Sequence, residues 1–116
     1  MNKRQKSSIT KTLEEIGLSE NEALLYHVCL RHPKSTVREL GAHSPFPRTM
    51  LYHVLKQLVR RGLVSTSKDQ WRTIFIAENP EKLYDLLRHK EKEFEKQGQA
   101  IRGLIPQLKN KYRFST

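Results

Sequence analysis

The segment 47–61 combines hydrogen-bonding and cationic side chains at helical spacing. Four apolar residues at positions i, i+3, i+4 and i+7 predict an inward stripe: Leu51, Val54, Leu55 and Leu58. The opposite face then carries six side chains, none of them acidic: Arg48, Thr49, Tyr52, His53, Lys56 and Arg60. The chain has 12 acidic residues, and an ordinary solvated face usually includes some of them. Because such side chains bind phosphates and base edges, the segment is predicted to enter the major groove of double-stranded DNA.

The position of each side chain along the helix suggests a role. Arg48 and Thr49, near its start, can reach a base edge or hold a phosphate. The tyrosine and histidine in the middle of the face can contact backbone or base, whereas Lys56 and Arg60 are better placed for backbone. Phe46 offers no capping oxygen, so backbone N–H groups at the helix start are expected to be available to a phosphate.

Other kinds of chemistry find little support in the sequence. We identify no phosphate-cradling glycine loop and no nucleophile–base grouping, so no enzyme and no cofactor are predicted. The five histidines form no i, i+4 metal-binding pair, so no metal site is predicted. The single cysteine, Cys29, excludes a disulfide framework and lies in an apolar run, where a buried small hydrophobe is expected rather than a redox sensor.

The overall charge agrees with a polyanionic partner. The 116 residues include 22 Lys and Arg against 12 Asp and Glu, which gives a net charge of +10. Such an excess attracts nucleic acid, although a generic basic surface would give the same number. No apolar run approaches the roughly 20 residues that cross a bilayer, and the basic N-terminus leads into no apolar stretch that would make it a secretory signal. We therefore expect a cytoplasmic, nucleoid-associated protein without a membrane partner.

Helix signals upstream of this segment predict where the first elements lie. A flexible basic arm over 1–8 precedes a short helix that Gly17 stops. Ser19 and Glu22 form a predicted capping box that opens a helix to about Arg31, and Thr36 and Glu39 form a second one for a short helix to about residue 42. A short helix followed by the longer helix 47–61 is typical of a helix-turn-helix.

The pattern changes after Gly62 to β-branched and aromatic residues. Two runs, 63–67 and 71–76, predict a hairpin with its turn at 68–70. This wing, 63–77, carries Lys68 and Arg72, which suit an adjacent minor groove or its phosphates. Trp71 is expected to pack rather than to intercalate. The fold class is therefore mainly α with a small β-hairpin wing: a winged helix-turn-helix domain over 9–80.

The remaining segment, 81–116, is predicted to be a helix up to about residue 111. Apolar residues at alternating steps of four and three form a seam: Leu83, Leu87, Phe94, Ile101, Leu104 and Leu108. Such a seam requires a partner helix, which predicts a coiled-coil homodimer; the alternative is that the helix folds back onto its own domain. Two glycines and Pro106 disfavour a regular long coil, and Pro106 is expected to kink or end the helix.

Two stretches resemble the TrmB-type regulators. The first, 13–26, has their Gly-Leu-Ser/Thr-x-x-Glu-Ala-x-x-Tyr motif, and the second, 46–55, has their hydrophobic-Pro-Arg-Ser/Thr-x-hydrophobic-Tyr-x-Val-Leu motif. The resemblance extends over about residues 10–111 and implies a mostly archaeal, also bacterial, dimeric operator-binding regulator. It implies that the recognition-helix motif is matched by Arg48, Thr49 and Tyr52. Full-length relatives often add a C-terminal sugar-binding domain; this chain is expected to be a short member or a fragment, and its effector is left open.

Together these patterns predict a sequence-specific, double-stranded DNA-binding transcription regulator. A homodimer with two-fold symmetry would place its recognition helices roughly 34–36 Å apart, on half-sites about 10 bp apart or a multiple of that. Two alternatives remain open at this point. One is a winged-helix adaptor for protein–protein contact, and the other is a non-specific architectural DNA binder.

Overall fold

The structure, a computed structural model, describes residues 7–114. Eight elements follow one another: α1 (Ser8–Glu15), α2 (Glu20–Arg31), β1 (Lys34–Ser35), α3 (Val37–Ala42), α4 (Arg48–Arg60), β2 (Val64–Asp69), β3 (Arg72–Ala77) and α5 (Lys82–Phe114). The chain divides into two units, Met1–Leu83 and Tyr84–Thr116. The predicted fold class, mainly α with a small wing and a long C-terminal helix, is confirmed.

Local capping decides where the first three helices begin. Both predicted capping boxes are present: the Ser19 hydroxyl accepts from the Glu22 N–H at 3.1 Å, and the Thr36 hydroxyl accepts from the Glu39 N–H at 3.2 Å. In each box the glutamate accepts in return from the N–H of the capping residue. Ser7 caps α1, so this helix includes Ser8, which we had assigned to the arm. The rest of the predicted arm, residues 1–6, lies outside the described residues.

Helix α4 packs as its spacing predicts. All four residues of the inward stripe are buried: Leu51, Val54, Leu55 and Leu58. The helix ends in a Schellman motif, in which the Leu63 N–H donates to the Leu58 carbonyl at 3.1 Å and the Gly62 N–H donates to Val59 at 3.0 Å. Gly62 has a φ of +76°, which a residue with a Cβ adopts only at a cost.

The sheet has three strands in the order β1–β3–β2, all antiparallel. The pairing of β2 with β3 runs from Val64 opposite Ala77 to Asp69 opposite Arg72. Strand β1, which sequence analysis missed, adds two residues to the other edge of β3, with Lys34 opposite Ile76. It attaches the wing to the segment between α2 and α3.

The tip of the wing differs from the prediction. Lys68 and Asp69, which we expected in the turn, belong to β2, and the connection consists of Gln70 and Trp71 alone. Gln70 supplies the positive φ that a two-residue hairpin turn requires, at +57°. The prediction that Trp71 packs was wrong: at the outermost point of the turn its side chain is 91% exposed.

Helix α5 is 33 residues long and therefore about 50 Å in length. We expected Pro106 to kink or end the helix; the helix continues through Pro106 to Phe114, so Pro106 does not end it. Proline removes one backbone donor, while the leucine, glutamine and lysine that follow it favour helix. Five of the predicted seam residues are exposed large hydrophobics: Leu87, Phe94, Ile101, Leu104 and Leu108.

An ion pair connects the end of α4 with the start of α2. Arg61 donates from Nε to the Glu22 carboxylate at 2.5 Å and from Nη2 to the Gly17 carbonyl at 3.2 Å. Burial alone would raise the pKa of Glu22, but hydrogen bonds from Arg61 and Ser19 outweigh burial and hold that pKa below its ordinary value of 4.5. Because the folded pKa is lowered, this carboxylate stabilises the fold above pH 4.5, and that contribution is lost as the pH falls through the folded value.

Removing this ion pair tests its contribution to stability. We expect Arg61→Met to lower the free energy of unfolding by about 1–3 kcal/mol, because the largely buried Glu22 carboxylate loses its charged donors. The matched control is Arg60→Met, whose side chain is exposed and which should change stability by less than about 0.5 kcal/mol. Urea unfolding followed by circular dichroism measures both, and equal losses in the two variants would contradict the assignment.

Candidate nucleic-acid interface

The outer face of α4 presents all six predicted side chains to solvent. Arg48, Thr49, Tyr52, His53, Lys56 and Arg60 are exposed. Among the residues that the structure describes, no salt bridge involves a cation of this face. The Arg48 guanidinium lies over the Tyr52 ring, 5.8 Å from its centroid, in a cation–π contact that holds both side chains near the helix start. The face therefore presents uncompensated positive charge.

The start of α4 leaves backbone donors available. Pro47 occupies the N-cap position, where we had predicted the first helical residue, and no side chain caps the helix. By contrast, Ser7, Ser19 and Thr36 cap the other three helices of this unit. Uncapped N–H groups and the positive end of the helix dipole favour an anion at this point.

The two predicted cations of the wing differ in their ion pairing. Lys68 is exposed and has no salt bridge among the described residues. Arg72 instead donates to the Asp69 carboxylate at 3.2 Å, across the base of the turn. Both partners of this pair are more than half exposed, so it contributes little to stability and leaves the arginine accessible. The sequence pattern places Asp69 in the turn and therefore does not predict this partner.

An open groove of about 410 Å³ separates α4 from the wing. Its lining includes three arginines and three aromatic side chains: Arg38, Arg48, Arg72, Tyr52, Trp71 and Phe75. The structure thus brings together predicted residues from α4 and from β3, while Thr49, His53, Lys56 and Arg60 lie on the exposed face outside the groove lining. Arg38, on α3, was missed, although the inward spacing of Val37 and Leu40 already pointed it outward.

The described residues offer no support for a redox, metal or membrane-spanning site. The Cys29 thiol is buried and its pKa is raised by burial to about 12. Within residues 7–114, no group of three or more His, Cys, Asp or Glu side chains is placed to hold a metal ion. None of the described helices combines the length and hydropathy needed to cross a membrane.

Comparison with known proteins identifies one family. The model of a family described as the sugar-specific transcriptional regulator TrmB matches residues 13–89. None of the curated proteins compared with the chain matches it.

Three solved structures are similar in fold. TrmBL2, described as an archaeal chromatin protein with a novel mode of DNA binding, has a TM-score of 0.78 at 20% identity, covering 86% of this chain and 40% of that one. A possible transcriptional regulator for arsenical resistance has a TM-score of 0.52 at 28% identity, covering 69% and 80%. Reduced AbfR bound to DNA has a TM-score of 0.54 at 19% identity, covering 84% and 81%. The chain thus spans less than half the length of TrmBL2.

The burial of Cys29 leads to a test of its reactivity. Because the thiolate is the reactive form, a pKa of about 12 and a buried sulfur should make the native protein react with a disulfide reagent far more slowly than the urea-unfolded chain at pH 8. The release of thionitrobenzoate measures both rates. A native rate similar to the unfolded one would show an accessible thiol and reopen the redox interpretation.

Proposed function

The chain belongs to the TrmB family of transcriptional regulators, and on that premise we propose that it binds specific sites on double-stranded DNA through α4. The family is one of transcriptional regulators, TrmBL2 is described as a chromatin protein with a novel mode of DNA binding, and AbfR is described in a complex with DNA. The observation that carries the proposal is the exposed face of α4, which has hydrogen-bonding and cationic side chains and no acidic one.

In this proposal α4 lies in the major groove with its N-terminal end toward the bases. Arg48, Thr49 and Tyr52 occupy the first turns, where side chains of a recognition helix reach base edges. Lys56 and Arg60 lie further along and bind backbone phosphates. The uncapped start of α4 receives another phosphate on its N–H groups. Lys68 and Arg72 of the wing bind the neighbouring minor groove or its phosphates.

We further propose that α5 pairs with the α5 of a second copy. Its seam leaves apolar side chains exposed along most of its length, from Leu87, 40% exposed, to Leu108, 47% exposed. Apolar residues spaced at four and three, interrupted by Lys90 and Gln97, match the pattern of a coiled coil with occasional polar positions. A two-fold dimer would bind a pseudo-palindromic site with half-sites about 10 bp apart or a multiple of that.

A second candidate function has an observation of its own. TrmBL2, which this chain resembles in fold, is described as a chromatin protein, and a net charge of +10 suits binding without sequence preference. Selection of bound duplexes from a random-sequence pool at two salt concentrations separates the two candidates. A palindromic motif at the higher salt supports the specific regulator, and salt-sensitive binding without a motif supports the architectural one. Absence of binding at low salt would overturn both and leave the protein adaptor.

Variants of α4 distinguish base readers from phosphate binders. We expect Arg48→Ala to weaken binding to the selected site by about 1–3 kcal/mol and to relax preference at one position, because it removes a bidentate contact to guanine. Arg60→Met should instead weaken binding to all sequences and reduce the slope of log affinity against log salt by about 1. Anisotropy of labelled duplexes measures both effects.

The control for these variants is Gln57→Ala, a half-buried neutral residue beside the face, which should leave the salt slope unchanged. A uniform loss for Arg48→Ala across all sequences would assign Arg48 to a phosphate and contradict the base contact.

Replacing a seam residue tests the dimer. Phe94→Glu should convert a dimer into a monomer in light scattering after size-exclusion chromatography, because two carboxylates would meet at an apolar contact. Lys92→Glu introduces the same side chain two positions away, on the opposite side of the helix, and should leave the dimer intact. A wild-type protein that is monomeric at micromolar concentration would contradict this part of the proposal.

A further inference from the structure

Trp71 occupies the tip of the wing and is the most exposed large hydrophobic side chain described, at 91%. It is also the only tryptophan of the chain. An indole is among the side chains that gain most free energy from burial. A wing tip that stayed in water would not gain this free energy. None of the described residues covers it, so a contact with another molecule would account for its position.

The indole is held at the tip by a short, defined connection. Only Gln70 and Trp71 join β2 to β3, with the positive φ at Gln70, as type II′ hairpin turns require at their first residue. The ion pair between Asp69 and Arg72 spans the base of this turn. The side chain therefore projects from a paired hairpin rather than from a long loop, so a partner orders little additional chain when it binds.

The surroundings of Trp71 indicate a polyanionic partner. The side chain forms part of the groove that Arg38, Arg48 and Tyr52 also line, so it borders the same space as the exposed start of α4. On its own hairpin, Lys68 has no salt bridge among the described residues, and the one acidic side chain of the hairpin, Asp69, is already paired. Glu39 of α3, which also acts on Arg72, is hydrogen-bonded to Thr36. A partner that reaches α4 from this side meets cations first and the indole at the outer edge.

We propose that Trp71 presses its indole into the DNA minor groove next to the major groove that α4 occupies. The inference rests on the proposed DNA-binding function and adds to it an apolar contact beside the cationic ones. Aromatic and aliphatic side chains in the minor groove pack against deoxyribose and can wedge between base steps. A flexible pyrimidine–purine step accepts such a wedge at least cost, so the site is expected to favour TA or CA/TG at the position that the wing reaches.

The single tryptophan allows the contact to be observed directly. The wild-type chain is titrated with a labelled duplex that carries the selected site, and anisotropy of the label reports binding independently of the indole. Tryptophan emission of the same samples, with acrylamide as a quencher, reports the surroundings of Trp71. We expect emission to change in step with binding and acrylamide access to fall, because the indole leaves water.

Two variants measure how much the indole of Trp71 contributes to the affinity for DNA. Trp71→Ala should weaken binding by about five- to twentyfold, with an unchanged salt slope because no charge is removed, and Trp71→Phe should recover most of the affinity. Ile9→Ala, which removes another exposed apolar side chain from the same unit, is the matched control and should bind like the wild type. Because Trp71 packs against so little, circular dichroism should show the same fold for each variant.

The outcomes separate this inference from the proposed function. Binding by anisotropy with unchanged emission, unchanged quenching and full affinity of Trp71→Ala would overturn the Trp71 contact and leave DNA binding by α4 in place. Absence of binding by anisotropy would overturn the proposed function and, with it, this inference. Loss of affinity in Trp71→Ala without rescue by Trp71→Phe would overturn the wedge, since a second flat aromatic ring should restore it.

Discussion

The hydrogen bonds of the Arg61 guanidinium tie three segments of the winged-helix domain together. This one group contacts the turn after α1 through the Gly17 carbonyl and the first turn of α2 through Glu22. Glu22 also completes the capping box of α2, so one carboxylate serves a helix start and a tertiary contact. The arrangement anchors the C-terminal end of α4, whose inward stripe is buried in the core. Because that stripe is buried, Arg60 and the rest of the opposite face point outward.

Local pairing of acidic residues explains why the α4 face stays cationic. The acidic side chains with described partners form their salt bridges or hydrogen bonds within a few residues of their own position or in the core: Glu22, Glu39, Asp69, Asp85 and Glu93. Glu39 illustrates the effect, since hydrogen bonds from the Thr36 backbone and hydroxyl lower its pKa and direct its charge toward the start of α3. The three cations of the α4 face, Arg48, Lys56 and Arg60, are thereby left without an acidic partner among the described residues.

Sequence reasoning succeeded where the signal is local and failed where it is not. The capping boxes at Ser19 and Thr36 and the stripe from Leu51 to Leu58 depend on residues three or four apart, and all are present. Strand β1 has only two residues and forms because β3 lies beside it, so no sequence periodicity predicts it. The exposure of Trp71 follows from the position of the hairpin turn, because the connection contains Trp71 and β3 begins one residue later than the sequence pattern predicts. Arg38 and the Asp69 partner of Arg72 became visible only when separate elements came together.

The short pairing between β1 and β3 has a consequence for the order of folding. It joins Lys34 to Ile76, and the chain between them contains α3, α4 and the whole of β2. Helices and the hairpin form from near neighbours, whereas this pairing must close a long loop and therefore comes late. The wing can thus be complete as a hairpin before its angle to α4 is set. Two residue pairs at the sheet edge, together with the buried side chains of Val64 and Phe75, then fix the base of the wing against the helices and leave its tip free of contacts with β1.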